Sequence, residues 1–131
     1  MATSGHGHIL LVASLSAFQP NPLLAAYGAA KAYVLSLGEA LHVELAPGVG
    51  VTVLSPGLMD TEFNNVSGYK AKPSMRSTML PTARVAEIGL DALFAGKSSV
   101  IAGRINQAMA FSTRFLSRSF QAKTVYRLSK A

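Results

Sequence analysis

Apolar and polar positions along this chain follow two different periods. Residues 8–13 (HILLVA) form an unbroken apolar run of strand length, the pattern of a parallel strand buried on both faces. Residues 14–22 are more polar and carry Pro20 and Pro22, which bar a helix. From residue 23 to 45 there is no proline. Alanine, leucine and glutamate dominate, and Tyr27, Lys31, Val34, Leu35, Gly38, Leu41 and Leu45 recur at mixed three- and four-residue steps. This predicts a long helix ended by Pro47-Gly48. Residues 50–55 (GVTVLS) predict a second strand, stopped by Pro56-Gly57, and residues 58–80 read as irregular. Thr82 is placed as the N-cap of a helix over 83–94, and residues 98–102 (SSVIA) as a third short strand. Strands alternating with helices in this way predict an α/β fold with a parallel sheet, helices packed on it, and right-handed crossovers.

Charge divides the chain unevenly. The six acidic residues (Glu39, Glu44, Asp60, Glu62, Glu87, Asp91) and six of the twelve basic ones lie within residues 1–103, which are therefore neutral. Residues 104–131 hold Arg104, Arg114, Arg118, Lys123, Arg127 and Lys130 with no acid, so the whole net charge of +6 sits there. Half of the residues are apolar, which excludes a disordered chain, and no apolar run reaches the roughly 18–20 residues of a spanning helix. Without cysteine there is no disulfide framework or thiolate metal site. The His6-x-His8 pair has no third ligand nearby and reads as solvated terminal sequence, so no metal is expected. With no leader pattern at the start, a cytoplasmic location is expected.

Candidate chemistry centres on Tyr27-Gly-Ala-Ala-Lys31. Tyrosine and lysine four apart on a helix share a face. An ordinary phenol, titrating near about pH 10, exchanges protons poorly at neutral pH unless a fixed positive charge stabilises its phenolate. Lys31 is placed to supply that charge. The spacing alone is common by chance, and the plain alternative is surface decoration of a helix. Its surroundings narrow the choice. Ser14 follows the first strand directly, and a residue at the carboxyl end of a parallel strand faces the crevice where open α/β sheets bind ligands. Pro56-Gly57 holds the equivalent place after the second strand, with Thr61 four residues beyond.

Taken in order, the strand and serine of GHILLVAS, Tyr27-x3-Lys31, the strand and turn GVTVLSPG, and Thr61 resemble the short-chain dehydrogenase/reductase family over nearly all of residues 7–103. The stretches ASLSAF (13–18), 27–41 and PGLMDTEF (56–63) carry the resemblance most specifically. It implies the C-terminal half of a Rossmann-like, doubly wound parallel sheet with three strands. It also implies hydride transfer between NAD or NADP, with NADP favoured, and a carbonyl or alcohol substrate. On this resemblance Tyr27 is the general acid in reduction and the general base in oxidation. Lys31 stabilises the phenolate and bonds the nicotinamide ribose, and Ser14 holds the substrate oxygen. Pro56, Gly57 and Thr61 meet the nicotinamide, while Met59, Phe63 and residues 64–80 correspond to the substrate loop.

The family's Gly-x3-Gly-x-Gly turn, its cofactor selector and its Asn-Asn-Ala-Gly segment have no counterpart here, and Asn64-Asn65 lies downstream of the tyrosine. Residues 1–103 thus read as a partial catalytic domain lacking the dinucleotide-phosphate half, and 104–131 as a basic amphipathic extension. The expected protein is a fragment of such an oxidoreductase with little activity by itself. The alternative is an inactive dimerising or membrane-surface module derived from that fold. Expected partners are a small carbonyl or alcohol and a second copy bound through the 23–45 helix. A membrane surface reached through 104–131 is also open, whereas nucleic acid is not expected. Near-helical spacing of Ile105, Ala108, Met109, Phe111, Phe115, Phe120, Val125 and Leu128 predicts a helical extension.

Overall fold

The computed structural model describes residues 4–59 and 79–130. Its order is β1 (Gly7–Val12), a 3-10 turn (Leu15–Phe18), α1 (Ala25–Glu44), β2 (Val49–Ser55), α2 (Thr82–Phe94), β3 (Ser99–Ile101), α3 (Arg104–Ser112), a 3-10 turn (Thr113–Phe115) and α4 (Arg118–Lys130). The three strands form a parallel sheet in the order β1-β2-β3. The α/β reading and, among the described residues, the three-strand count hold, with element ends moved by a residue or two.

Alternation along the strands decides which helix packs where. Leu11 and Val53 point to one face, where α1 presents Gly38. A methyl group at Gly38 would strike the Val53 side chain and lie 2.9 Å from Leu11 Cδ1, so only glycine permits this approach. Leu10 and Leu54 point to the opposite face, where α2 presents Gly89; a methyl there would lie 2.8 Å from Leu54 Cδ2 and 3.3 Å from Leu10 Cδ2. Buried Leu54, Val85 and Ala102 centre the core on that side, with Leu10, Met59, Leu80, Ile88 and Val100 packed around them. The sheet is therefore doubly wound. Both crossovers step the same way across it but on opposite faces, so they cannot both be right-handed as expected. Right-handedness holds in about 98% of such crossovers, and one of these two is an exception. Residues 56–81 separate β2 from α2, and 60–78 of them lie outside the described residues.

Two local readings differ from the sequence. Thr82 is the first helical residue, Pro81 takes the cap position, and no side chain caps the helix. Thr82 already has helical geometry, and Val85 N donates to Pro81 O at 3.1 Å, so the helix begins one residue earlier and the cap falls on Pro81. The extension is two helices and not one. Thr113 Oγ1 donates to Ala110 O (2.7 Å), and Gln121 Nε2 donates to Thr113 O and Leu116 O (both 2.8 Å). These side-chain bonds satisfy carbonyls that a continuous helix would use, and they break it between Ser112 and Ser117.

Candidate active site

Of the sequence-predicted residues, Ser14, Lys31, Pro56 and Gly57 lie at the carboxyl end of the sheet. Ala13 N donates to Leu54 O and Leu15 N to Pro56 O (both 2.8 Å), which ties the residues flanking Ser14 to the end of β2. Ser14 and Pro56-Gly57 are thereby held on adjacent strands. Ser14 caps the 3-10 turn, and its Oγ accepts from Ser16 N at 3.2 Å. That bond uses one of the two lone pairs and leaves the hydroxyl hydrogen to donate elsewhere.

Tyr27 and Lys31 lie on one face of α1, with the Lys31 ammonium 5.8 Å from the centre of the Tyr27 ring. Lys31 Nζ also donates to Val12 O at 3.0 Å, two residues before Ser14. Odd-numbered residues of β1 bond to β2, so the Val12 carbonyl faces away from it. The ammonium thus bridges the outer rim of β1 and the phenol-bearing helix. Helix spacing, noted from sequence, brings lysine to tyrosine; the contact with β1 comes from tertiary packing.

Pro56 is buried and Gly57 half-buried. A methyl at Gly57 would strike the amide of Asn106, which is 5% exposed and donates through Nδ2 to Ala102 O at 2.7 Å. Asn106 therefore supports the Pro56-Gly57 turn from behind, a role that sequence reasoning missed because position 106 fell within a presumed tail. Ser55, 1% exposed beside Pro56, has a hydroxyl with no partner among the described residues. Met59, expected in the substrate loop, packs on the Leu54 core cluster. Thr61, Phe63 and 64–78 lie outside the described residues, so the nicotinamide contact expected of Thr61 and nearly all of the substrate loop do too.

A cleft of about 330 Å³ opens between the 17–22 loop, Arg118 and the small residues Ala25, Gly28, Ala29 and Ala32 of α1. At 100° per residue, those positions lie on the side of the helix away from Tyr27 and Lys31. The cleft is distinct from the Ser14–Tyr27–Lys31 constellation.

The short chain dehydrogenase family model matches residues 1–71, and the chain belongs to this family. An uncharacterized oxidoreductase of Staphylococcus epidermidis is 36% identical over 80 residues, which cover 60% of this chain and 35% of that protein. Among solved structures, a 7beta-hydroxysteroid dehydrogenase superposes with a TM-score of 0.81 at 23% identity, covering 95% of this chain and 49% of the other. A short chain dehydrogenase from Burkholderia cenocepacia in complex with NADP has a TM-score of 0.72 at 27% identity, covering 93% of this chain and 48% of the other. The chain thus spans about half of these solved structures and about a third of that curated relative. The 7beta-hydroxysteroid dehydrogenase superposition includes most of the extension, since it covers nearly the whole chain.

Proposed function

We propose that this chain carries the proton-transfer half of an NAD(P)-dependent oxidoreductase acting on a carbonyl or alcohol. The observation that carries the reading is the Lys31 ammonium, held at once on Val12 O and beside the Tyr27 ring. The nicotinamide end of the dinucleotide fits these residues: a fixed cation at the sheet end, a serine hydroxyl able to donate, and a Pro-Gly turn. The phosphate end does not, because the sequence holds no glycine-rich turn. When bound, the nicotinamide supplies or accepts the hydride.

The chain's own residues handle the oxygen and its proton. In reduction the Tyr27 hydroxyl gives its proton to the carbonyl oxygen as negative charge grows there, and in oxidation the phenolate takes the proton back. Lys31 stabilises the phenolate across the short gap to the ring and is placed to bond the nicotinamide ribose. Ser14 donates to the substrate oxygen, a preorganised dipole aimed at developing charge. Pro56, Gly57 and Thr61 are assigned to the nicotinamide face. NADP is favoured over NAD, supported by the NADP complex of the Burkholderia cenocepacia relative.

Completing the fold tests this. A chimera carrying the N-terminal half of the Burkholderia cenocepacia enzyme followed by residues 1–131 is expected to bind NADPH and oxidise it with small aldehydes or ketones. The 131-residue chain alone is expected to show no turnover. A folded chimera that binds NADPH yet reduces no carbonyl accepted by the parent enzyme contradicts the assignment.

A second reading concerns the extension. Phe111 and Phe115 meet edge to face at 5.3 Å while 56% and 76% exposed, and the Arg114 guanidinium lies 5.7 Å from the Phe111 ring. Exposed aromatics among cations, with no acid from 104 onward, suit the surface of an anionic bilayer. Among the described residues no helix is long and apolar enough to cross a membrane. The chain is expected to co-sediment with phosphatidylserine vesicles, and less so as salt rises. At roughly 1 kcal/mol per cation near the surface, Arg114→Gln, Arg118→Gln and Lys123→Gln together are expected to lower partitioning on the order of 10²-fold. Equal binding to neutral vesicles, or none to anionic ones, removes this reading.

A further inference from the structure

Ser14 and Tyr27 reach one site from opposite ends of the loop that joins β1 to α1, so some contact must hold that loop at one length. The Asn21 side chain makes it. Its amide nitrogen donates to Ser16 O at 2.7 Å and to Gln19 O at 2.6 Å, using both amide hydrogens. Ser16 is itself bonded through its N–H to Ser14 Oγ. On its other side the same amide presses on Gly28, the residue after Tyr27, where a methyl group would strike Asn21 Nδ2. The Asn21 main-chain carbonyl accepts from Leu24 N at 3.0 Å, and Leu24 O accepts from Gly28 N at 2.9 Å, so one residue also governs how α1 begins.

Backbone strain lies inside this span. Leu23 has φ of +71°, in the left-handed region that side chains other than glycine, asparagine and aspartate rarely adopt. Such a conformation persists only when its surroundings over-determine it. Leu23 is 65% exposed, so its own side chain offers little of that hold. The bonds on either side of it run through Asn21.

We propose that Asn21 is a positioning residue: by clamping the Ser16 and Gln19 carbonyls while resting on Gly28, it sets the spacing of Ser14 from Tyr27. This rests on the catalytic reading of those two residues. Asparagine suits the task because it is a double donor short enough to lie flat on a glycine. Aspartate has the same shape but sets a carboxylate oxygen, which only accepts, where the amide nitrogen meets two carbonyls.

The test has two arms. In the 131-residue chain, Asn21→Ala is expected to speed amide hydrogen exchange at Ser16 and Ala17 by at least about 10-fold, as in local opening, while Val51–Leu54 keep their protection. Unchanged exchange at Ser16 and Ala17 overturns the proposal, and this arm does not depend on catalysis. In the chimera, Asn21→Asp is expected to lower kcat by about 10- to 10²-fold with the KM for NADPH unchanged, the cost of a misplaced reacting group. Activity relative to wild type is expected to recover as pH falls toward the carboxyl range near about 4, where the introduced group regains a donor. Gly28→Ala is expected to match that loss in the wild-type background and to add much less in the Asn21→Ala background, where the obstructing amide is gone and only a 3.2 Å contact with the residue-21 Cβ remains. Additive losses, or a kcat untouched by Asn21→Asp, overturn the proposal. An inactive wild-type chimera instead counts against the catalytic reading, and the exchange arm then decides whether Asn21 holds the loop.

Discussion

Replacing Tyr27 with phenylalanine in the completed enzyme is expected to lower turnover by at least about 10²-fold, the lower range for loss of a positioned acid or base. The substitution removes one oxygen and leaves the ring beside the Lys31 ammonium, so packing on α1 changes little. Dinucleotide binding is therefore expected to survive, which separates chemistry from folding. Lys31→Met makes a useful companion. It removes the cation beside the ring and also orphans Val12 O, to which Lys31 Nζ donates. Lys31→Met is thus expected to lose both activity and dinucleotide binding along with thermal stability, whereas Tyr27→Phe is expected to lose activity with dinucleotide binding kept. Stopped-flow measurement of NADPH oxidation, with melting curves for each variant, distinguishes the two. A Tyr27→Phe chimera with wild-type turnover would show that another group handles the proton, and the constellation would lose its meaning.

The 131-residue chain alone is expected to self-associate and to bind dinucleotide weakly. Among the described residues β1 pairs with β2 on one side only. Backbone groups of His8, Leu10 and Val12 face away from β2, and of these Val12 O is taken by Lys31. An open strand edge beside apolar side chains is a template for pairing with a second chain. The long helix adds to it: Tyr33 and Val43 on α1 are 67% and 74% exposed, and Leu24 and Leu37 also face solvent. Apolar patches beyond a few hundred Å² are uncommon on monomeric proteins, which is why a second copy bound through α1 is the association we favour. Light scattering on a size-exclusion column is expected to show species above the monomer mass, and Tyr33→Glu with Val43→Lys to shift them downward. Calorimetry with NADH and NADPH is expected to show at most weak binding, since the nicotinamide-end residues act without a phosphate-binding turn. A monodisperse monomer with micromolar dinucleotide affinity would mean that these residues form a complete nucleotide-binding unit.

Legibility differed among elements for physical reasons. β1 and β2 were readable because each is a short, largely apolar run bounded by turn residues. The expectation of burial on both faces holds for β2 alone, since every residue of β1 is part- or fully exposed among the described residues. α1 was readable from its length and its lack of proline. The split between α3 and α4 was not, because it depends on where Gln121 finds two carbonyls, eight and five residues back in the chain. The cap of α2 was misplaced by one residue because threonine and proline both favour helix starts, and only geometry decides between them.

What the sequence by itself determined is the order of elements, their parallel arrangement, the family, and the shared helical face of Tyr27 and Lys31. The family rests on the resemblance of the ordered motifs; the others follow from periodicity or from residues a fixed step apart. Tertiary structure alone decided that α1 and α2 lie on opposite faces, that Lys31 reaches Val12 O, that Asn106 backs Gly57, and that Asn21 rests on Gly28. All but the last join residues distant in the chain. Asn21 and Gly28 are close in sequence, but they meet only because the strained turn at Leu23 folds the loop back onto the helix. A local pattern records what a residue prefers; which distant backbone it meets is set by how the strands and helices pack.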